Sequence, residues 1–179
     1  MNETVVEQPL AQADLAYANL DGVFLRKADL QGADLTGVSL IDADLHEVNL
    51  CEATLVDADL TASSLRSADL RQADLSGATL TNVDLSLVDW RGAKVTTTTT
   101  LSASQRRVWA LVNGGAAGQT LAAIDLSWTN LQGIILAGAD LHQSNFTRAL
   151  LRQSDLRNVN LQAADLSYAD LTNANLQGA

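Results

Sequence analysis

The chain has 179 residues, 47% hydrophobic but only 4% aromatic, with one proline, one cysteine and a formal net charge of −10. The single Cys51 excludes an internal disulfide and a multi-cysteine metal site, and no apolar run approaches the roughly 18 residues of a membrane span. Scarce aromatics argue against an ordinary mixed core, and scarce proline against a proline-rich disordered chain.

Residues 1–9 contain no basic start followed by an apolar stretch, so no secretory signal is read and a cytoplasmic, soluble protein is the default expectation. This segment is expected to be an N-terminal cap or tail at the first coil.

Residues 10–95 form a first repeat block. Leucine occupies every fifth position from Leu10 to Leu85, sixteen times in succession, and Trp90 and Val95 fill the next two slots. Two positions before each leucine stands a small or β-branched residue, such as Ala28, Ala33, Val38 or Ala43. One position before stands Asp, Asn, Ser or Thr in most units. The repeating unit is A(D/N)LXX. A period of five matches neither the helix at 3.6 nor the strand at 2, whereas a repeating turn can carry it. If each unit makes one side of a square, leucine (position i) and the small residue (i−2) point inward, while i−1, i+1 and i+2 face solvent. Asp and Asn at i−1 suit bonding to nearby turn backbone.

Residues 96–120 interrupt the pattern. From Val95 to Leu121 is 26 residues, one more than five repeats, so the frame shifts across the segment. The threonine run Thr96–Thr100 suits an extended edge. Ser102 and Gln105 fit a capping box, Val108, Leu111 and Val112 fall on one helical face, and Asn113-Gly114-Gly115 supplies a stop. These signals predict a short helix over about residues 103–113. Arg106 and Arg107 on it are candidates for binding an acidic partner, and Trp109 is expected to fasten the helix down. The glycine-rich NGGAAGQ lacks the Lys-Ser/Thr of a phosphate loop and follows a helix instead of opening one.

Residues 121–179 are a second block, in phase from Leu121 to Leu176 with Phe146 as the one change of type. If this block resumes on the side after Val95, one i+2 column reads Lys27, Glu47, Ser67, Leu87, Trp128, Arg148, Tyr168. Trp128, Arg148 and Tyr168 form an aromatic and arginine stripe of residue types enriched at binding hot spots. A second column, at i+1, holds Arg71, Arg91 and Arg152. Nothing after Leu176 is read as covering the last coil, so an end-to-end homodimer through that uncapped coil, or a longer natural chain, is expected.

The A(D/N)LXX units resemble the pentapeptide-repeat family, and Val108, Trp109, Val112, Asn113 and Gly115 resemble a VW..VN.G interruption found in its cyanobacterial members. The resemblance implies an all-β, right-handed quadrilateral β-helix with four repeats per coil, here about 7.5 coils in one continuous solenoid domain, interrupted by a loop with one short α-helix. Stacked coils about 4.8 Å apart give a rod on the order of 36 Å long. Family members that protect type II topoisomerases are acidic rods read as imitations of a DNA duplex. Fourteen of the 21 acidic residues here sit at i−1, where the repeat itself asks for Asp. A duplex of that length would carry about 21 charges, twice the net charge of this chain.

The first reading is therefore a non-enzymatic protein-interaction or scaffold module with a protein partner, no cofactor, no metal, no membrane contact and no direct nucleic-acid binding. The alternative reading is a DNA-mimicking binder or protector of gyrase. Catalysis finds little support, because His46 and His142 occupy solvent-facing i+1 slots and a filled square coil offers no recess for a reacting constellation.

Overall fold

The computed structural model describes residues 10–179, so the expected cap at residues 1–9 lies outside the described residues. The chain divides into two compact units, Met1–Ala103 and Ser104–Ala179.

In the first unit the five-residue period becomes a repeated β-turn. The carbonyl of each inward leucine accepts from the amide three residues on, as Leu30 accepts from Ala33 at 3.0 Å. The second central residue is left-handed in every unit from Gln12 (φ 60) to Gly92 (φ 74). A positive φ at that position marks a type II turn. Four such turns close one coil, because parallel bridges join residues twenty apart, from Asp14 with Asp34 to Asp74 with Lys94. The residue at i−1 makes the bridge: Asp34 donates its N–H to the carbonyl of Ala13 at 2.9 Å and accepts from the amide of Leu15 at 2.8 Å. The unit is thus a quadrilateral β-helix.

Burial follows the slots. Leu30 through Leu80 at position i, and Ala33, Val38, Ala58 and Ala73 at i−2, are buried. Each leucine contributes roughly 1.5–3 kcal/mol by leaving water, and the i−2 side chains stay small because the interior is narrow and close-packed. The expected turn bonding of the acidic slot is present: Asp59 Oδ1 accepts from the Thr61 amide at 2.9 Å, and Asp74 Oδ1 from the Ser76 amide at 2.9 Å.

The repeat continues beyond Val95. Thr79 bridges Thr100, twenty-one residues on, so the extra residue that shifts the frame lies between Val95 and Thr99. Thr99 takes the buried i−2 slot, 2% exposed, and its hydroxyl donates to the carbonyl of Leu75 at 2.7 Å. A polar residue fits there because its one buried donor is satisfied.

Helix α1, Ala103–Gly114, starts at the last residue of the first unit and supplies the opening residues of the second; it is one residue longer than the sequence predicts, with Ser102 immediately before it. Leu111 is buried in one cluster with Ala116, Leu121, Ile124 and Leu126, and Val108 and Val112 pack against that cluster. The predicted apolar face is therefore what docks the helix on the first coil of its own unit. Ala116 already occupies an inward slot, its amide directed to the carbonyl of Ile135. Leu111 of the helix joins the same buried cluster as Ala116. From Thr120 with Asp140 to Asp155 with Asn175 the twenty-residue bridges run as in the first unit, and Phe146 fills a leucine slot with no exposure. Among the described residues no helix is long and apolar enough to cross a membrane.

Candidate binding surface

The i+2 slot forms one of the outward columns of each β-helix. Its left-handed backbone turns the side chain outward and towards the following coil. Tyr17 shows this directly, since a Cβ placed on Gly37, twenty residues later, would stand 2.6 Å from Tyr17 Cδ1. Asp57 lies over Gly77 in the same way. Where the later residue has a side chain the two can interact, as Lys27 Nζ does with Glu47 Oε2 at 3.6 Å.

In the second unit this rule builds a ladder of three. Trp128 (φ 54), Arg148 (φ 60) and Tyr168 (φ 60) follow one another on successive coils. The Arg148 guanidinium carbon lies 4.7 Å from the centroid of the Trp128 ring and 5.2 Å from that of Tyr168. A cation within about 6 Å of an aromatic face is held by the ring quadrupole, so one guanidinium ties two rings together. Tyr168 is 82% exposed, Arg148 is exposed and Trp128 is half-buried. The sequence expectation that this column stacks is realised within the unit. Covering of Trp128 is supplied at least in part by Arg148, while the apolar face of α1 is spent on the core cluster.

The helix distributes its candidates unequally. Arg107 is exposed, whereas Arg106 is half-buried and engaged. Consecutive helical residues point about 100° apart, so only one of the pair can look straight into solvent. Trp109 is half-buried and engaged, and its carbonyl accepts from Asn113 Nδ2 at 2.9 Å. It does not join the core cluster; Val108, Leu111 and Val112 hold the helix there.

Much of the acidity is already committed. Arg71 pairs with Asp69 at 2.6 Å, Lys94 with Asp74 at 2.9 Å and Arg157 with Asp155 at 2.7 Å, while Asn160 Nδ2 donates to Asp140 at 2.9 Å. His46 and His142 each meet a carboxylate, Glu47 at 3.0 Å and Asp140 at 2.8 Å. Burial, then the Asp69 carboxylate, raise the Cys51 thiol above its ordinary range, which disfavours a reactive thiolate. Among the described residues no group of three or more His, Cys, Asp or Glu side chains could hold a metal ion.

Sequence reasoning passed over two exposed side chains in the first unit, Tyr17 at 78% and Phe24 at 75% exposure. The signal was available: Tyr17 stands in the outward i+2 slot, and Phe24 replaces the usual Asp at i−1. Ile135, 57% exposed, makes the same replacement in the second unit.

The family model described as "Pentapeptide repeats" matches residues 10–46, 43–82, 124–162 and 144–179. The chain belongs to the pentapeptide repeat family. Among solved structures it is similar to HetL, a pentapeptide repeat protein involved in heterocyst differentiation regulation from the cyanobacterium Nostoc sp. strain PCC 7120. Identity is 31%, coverage 94% of this chain and 68% of that one, and the TM-score 0.49. It is similar to a pentapeptide repeat protein of the Arabidopsis thaliana thylakoid lumen at 25% identity, over 75% of this chain and 68% of that one, with a TM-score of 0.46. It also resembles QnrB1, a plasmid-mediated fluoroquinolone resistance protein, at 21% identity over 89% and 80% of the two chains, with a TM-score of 0.35. No curated protein matches the chain in sequence.

Proposed function

We propose that the protein is a non-enzymatic interaction module, a right-handed β-helical scaffold that presents the Trp128–Arg148–Tyr168 ladder to a protein partner. The observation that carries this reading is the ladder itself. Tryptophan, tyrosine and arginine are the residue types that dominate binding hot spots, and here they are prearranged on a rigid backbone with Tyr168 82% exposed. Holding bulky side chains at positive φ costs on the order of 1 kcal/mol each, and prearrangement lowers the ordering cost of association.

Affinity capture with wild-type protein, Tyr168→Ala, Arg148→Ala and an unrelated surface control, Gln72→Ala, tests it. A species retained by wild type and the control but lost by both ladder variants supports the proposal. Identical captured sets for all four proteins would sink it.

The acidic composition motivates a second reading, a mimic of duplex DNA directed at gyrase. The carboxylates that cap turns and pair with Arg71, Lys94 and Arg157 weigh against it, because their positions answer to the repeat. A supercoiling assay separates the two: the interaction reading expects no inhibition and no quinolone protection at micromolar protein, and either effect would favour the mimic.

A further inference from the structure

Arg107 stands apart from the other lysines and arginines, all of them among the described residues. Each of the others is committed to an intramolecular contact: a carboxylate, as for Arg71 and Lys94, a ring, as for Arg148, or another engagement, as for Arg66 and Arg106. Arg107 is exposed, and its side chain has no hydrogen bond, ion pair or ring contact among the described residues.

Its setting within the second unit is a groove of about 420 Å³ between α1 and the first coil, with Leu111 and Leu121 as apolar lining and Arg107, Gly114, Gln119 and Thr120 around them. Thr120 marks an open backbone edge. In later coils the residue at this slot directs both backbone groups to the coil before it: Asp140 donates to the Gln119 carbonyl at 2.8 Å and accepts from the Leu121 amide at 2.7 Å. Neither backbone group of Thr120 has a hydrogen bond among the described residues, and Thr120 is exposed. An unpaired N–H and C=O side by side are the template on which an extended chain adds as a strand.

We propose that this groove takes an extended segment of a partner protein bearing an acidic side chain, which bridges its backbone to Thr120 and sets its carboxylate on Arg107. Charge complementarity selects the occupant: the protein supplies one uncommitted guanidinium beside an unpaired strand edge, and a carboxylate accepts from a guanidinium in two parallel bonds. The proposal rests on the interaction reading only in taking the protein to act by binding. Its failure bears on the groove alone, since the ladder variants report on the other surface.

The test uses the full chain, isotope-labelled for NMR, and an acetylated, amidated seven-residue peptide of alternating Val and Thr with a central Glu. Expected are saturable shifts at the Thr120 amide and the Arg107 side chain. The Gln peptide and the Arg107→Glu protein should each bind about threefold to tenfold more weakly, the range of one charge-assisted contact, with the rest of the spectrum unchanged. A Glu peptide N-methylated on one face of its strand should bind more weakly than one methylated on the other, because only one face meets Thr120. No shift at Thr120 at about 2 mM peptide, equal binding of the Glu and Gln peptides, or undiminished binding to Arg107→Glu would each overturn the proposal. Concentration-dependent shifts at Thr120 without peptide would assign the groove to a second copy of the chain and overturn it as well.

Discussion

The Arg148 guanidinium lies 4.7 Å from the centre of the Trp128 ring, although twenty residues of chain separate them. The β-helix makes them neighbours by turning the i+2 side chain of one coil onto that of the next, and Tyr168 extends the relation by one coil. Replacing Arg148 with Ala removes both ring contacts. The expected loss of stability is about 0.5–1 kcal/mol, the range of an exposed cation–π contact, measured by urea denaturation. Acrylamide quenching of tryptophan fluorescence should rise at the same time, since one face of Trp128 opens. Unchanged quenching would mean that the guanidinium does not cover the ring.

A buried hydroxyl offers a second test. Ser63 occupies the inward i−2 slot, 1% exposed, and its Oγ has no hydrogen-bond partner. Ser154 sits in an equivalent slot, also 1% exposed, but donates to the Leu151 carbonyl at 2.7 Å. An unsatisfied buried polar group costs about 1–3 kcal/mol. Ser63→Ala should therefore raise stability by roughly 1 kcal/mol, while Ser154→Ala should be neutral or slightly destabilising. Equal effects of the two changes, read by chemical denaturation, would contradict the assignment.

Turn backbone makes the same demand at two i+2 positions that hold different residues. Ala62 is exposed with φ 59, a conformation that strains any residue with a Cβ. Ala62→Gly should stabilise by up to about 1 kcal/mol, reduced by the greater freedom glycine gives the unfolded chain. Gly77→Ala should destabilise by more than that, because a Cβ at φ +75 would also collide with Asp57 Oδ1. Melting temperatures of the two variants should move in opposite directions.

Acid should weaken the fold through its turn carboxylates. The Thr172 hydroxyl, the Thr172 amide and then Arg152 hold the Asp170 carboxyl at about 2, against about 3.9 for an unperturbed aspartate. A depressed folded value means that the stabilising contribution is fully present above about pH 4 and is lost as the pH falls towards 2. Asp140 is lowered by His142, Asp155 by Arg157 and Asp34 by Thr36, so they act in the same direction. The urea midpoint should fall between about pH 4 and pH 2, and less steeply in Asp170→Asn. Superimposable pH profiles for the two proteins would mean that Asp170 contributes nothing to the acid response.

The five-residue period made most of the fold legible, because Leu at i and a small residue at i−2 leave one way to bury both. The edges of the interruption were not legible. Thr99 enters a slot normally held by Ala, and it does so through a hydroxyl bond to Leu75 that no periodicity announces. Ala116 holds a leucine slot in a cluster that Leu111 joins from a helix. Both substitutions involve a partner distant in sequence or in another element. The ladder was legible from the twenty-residue spacing. The uncommitted state of Arg107 was not, since it emerges only when the contacts of its neighbour Arg106 and of the remaining cations are known.

The central claim is that the face carrying Tyr168 meets a protein partner. Site-specific photocrosslinking tests it most directly, with a benzophenone amino acid introduced at Tyr168 and, as a control, at the i+2 residue Gln72 of the first unit. A defined crosslinked protein is expected from position 168, lost when Arg148→Ala is added and absent from position 72. No crosslink at 168, or the same products from both positions, would contradict it.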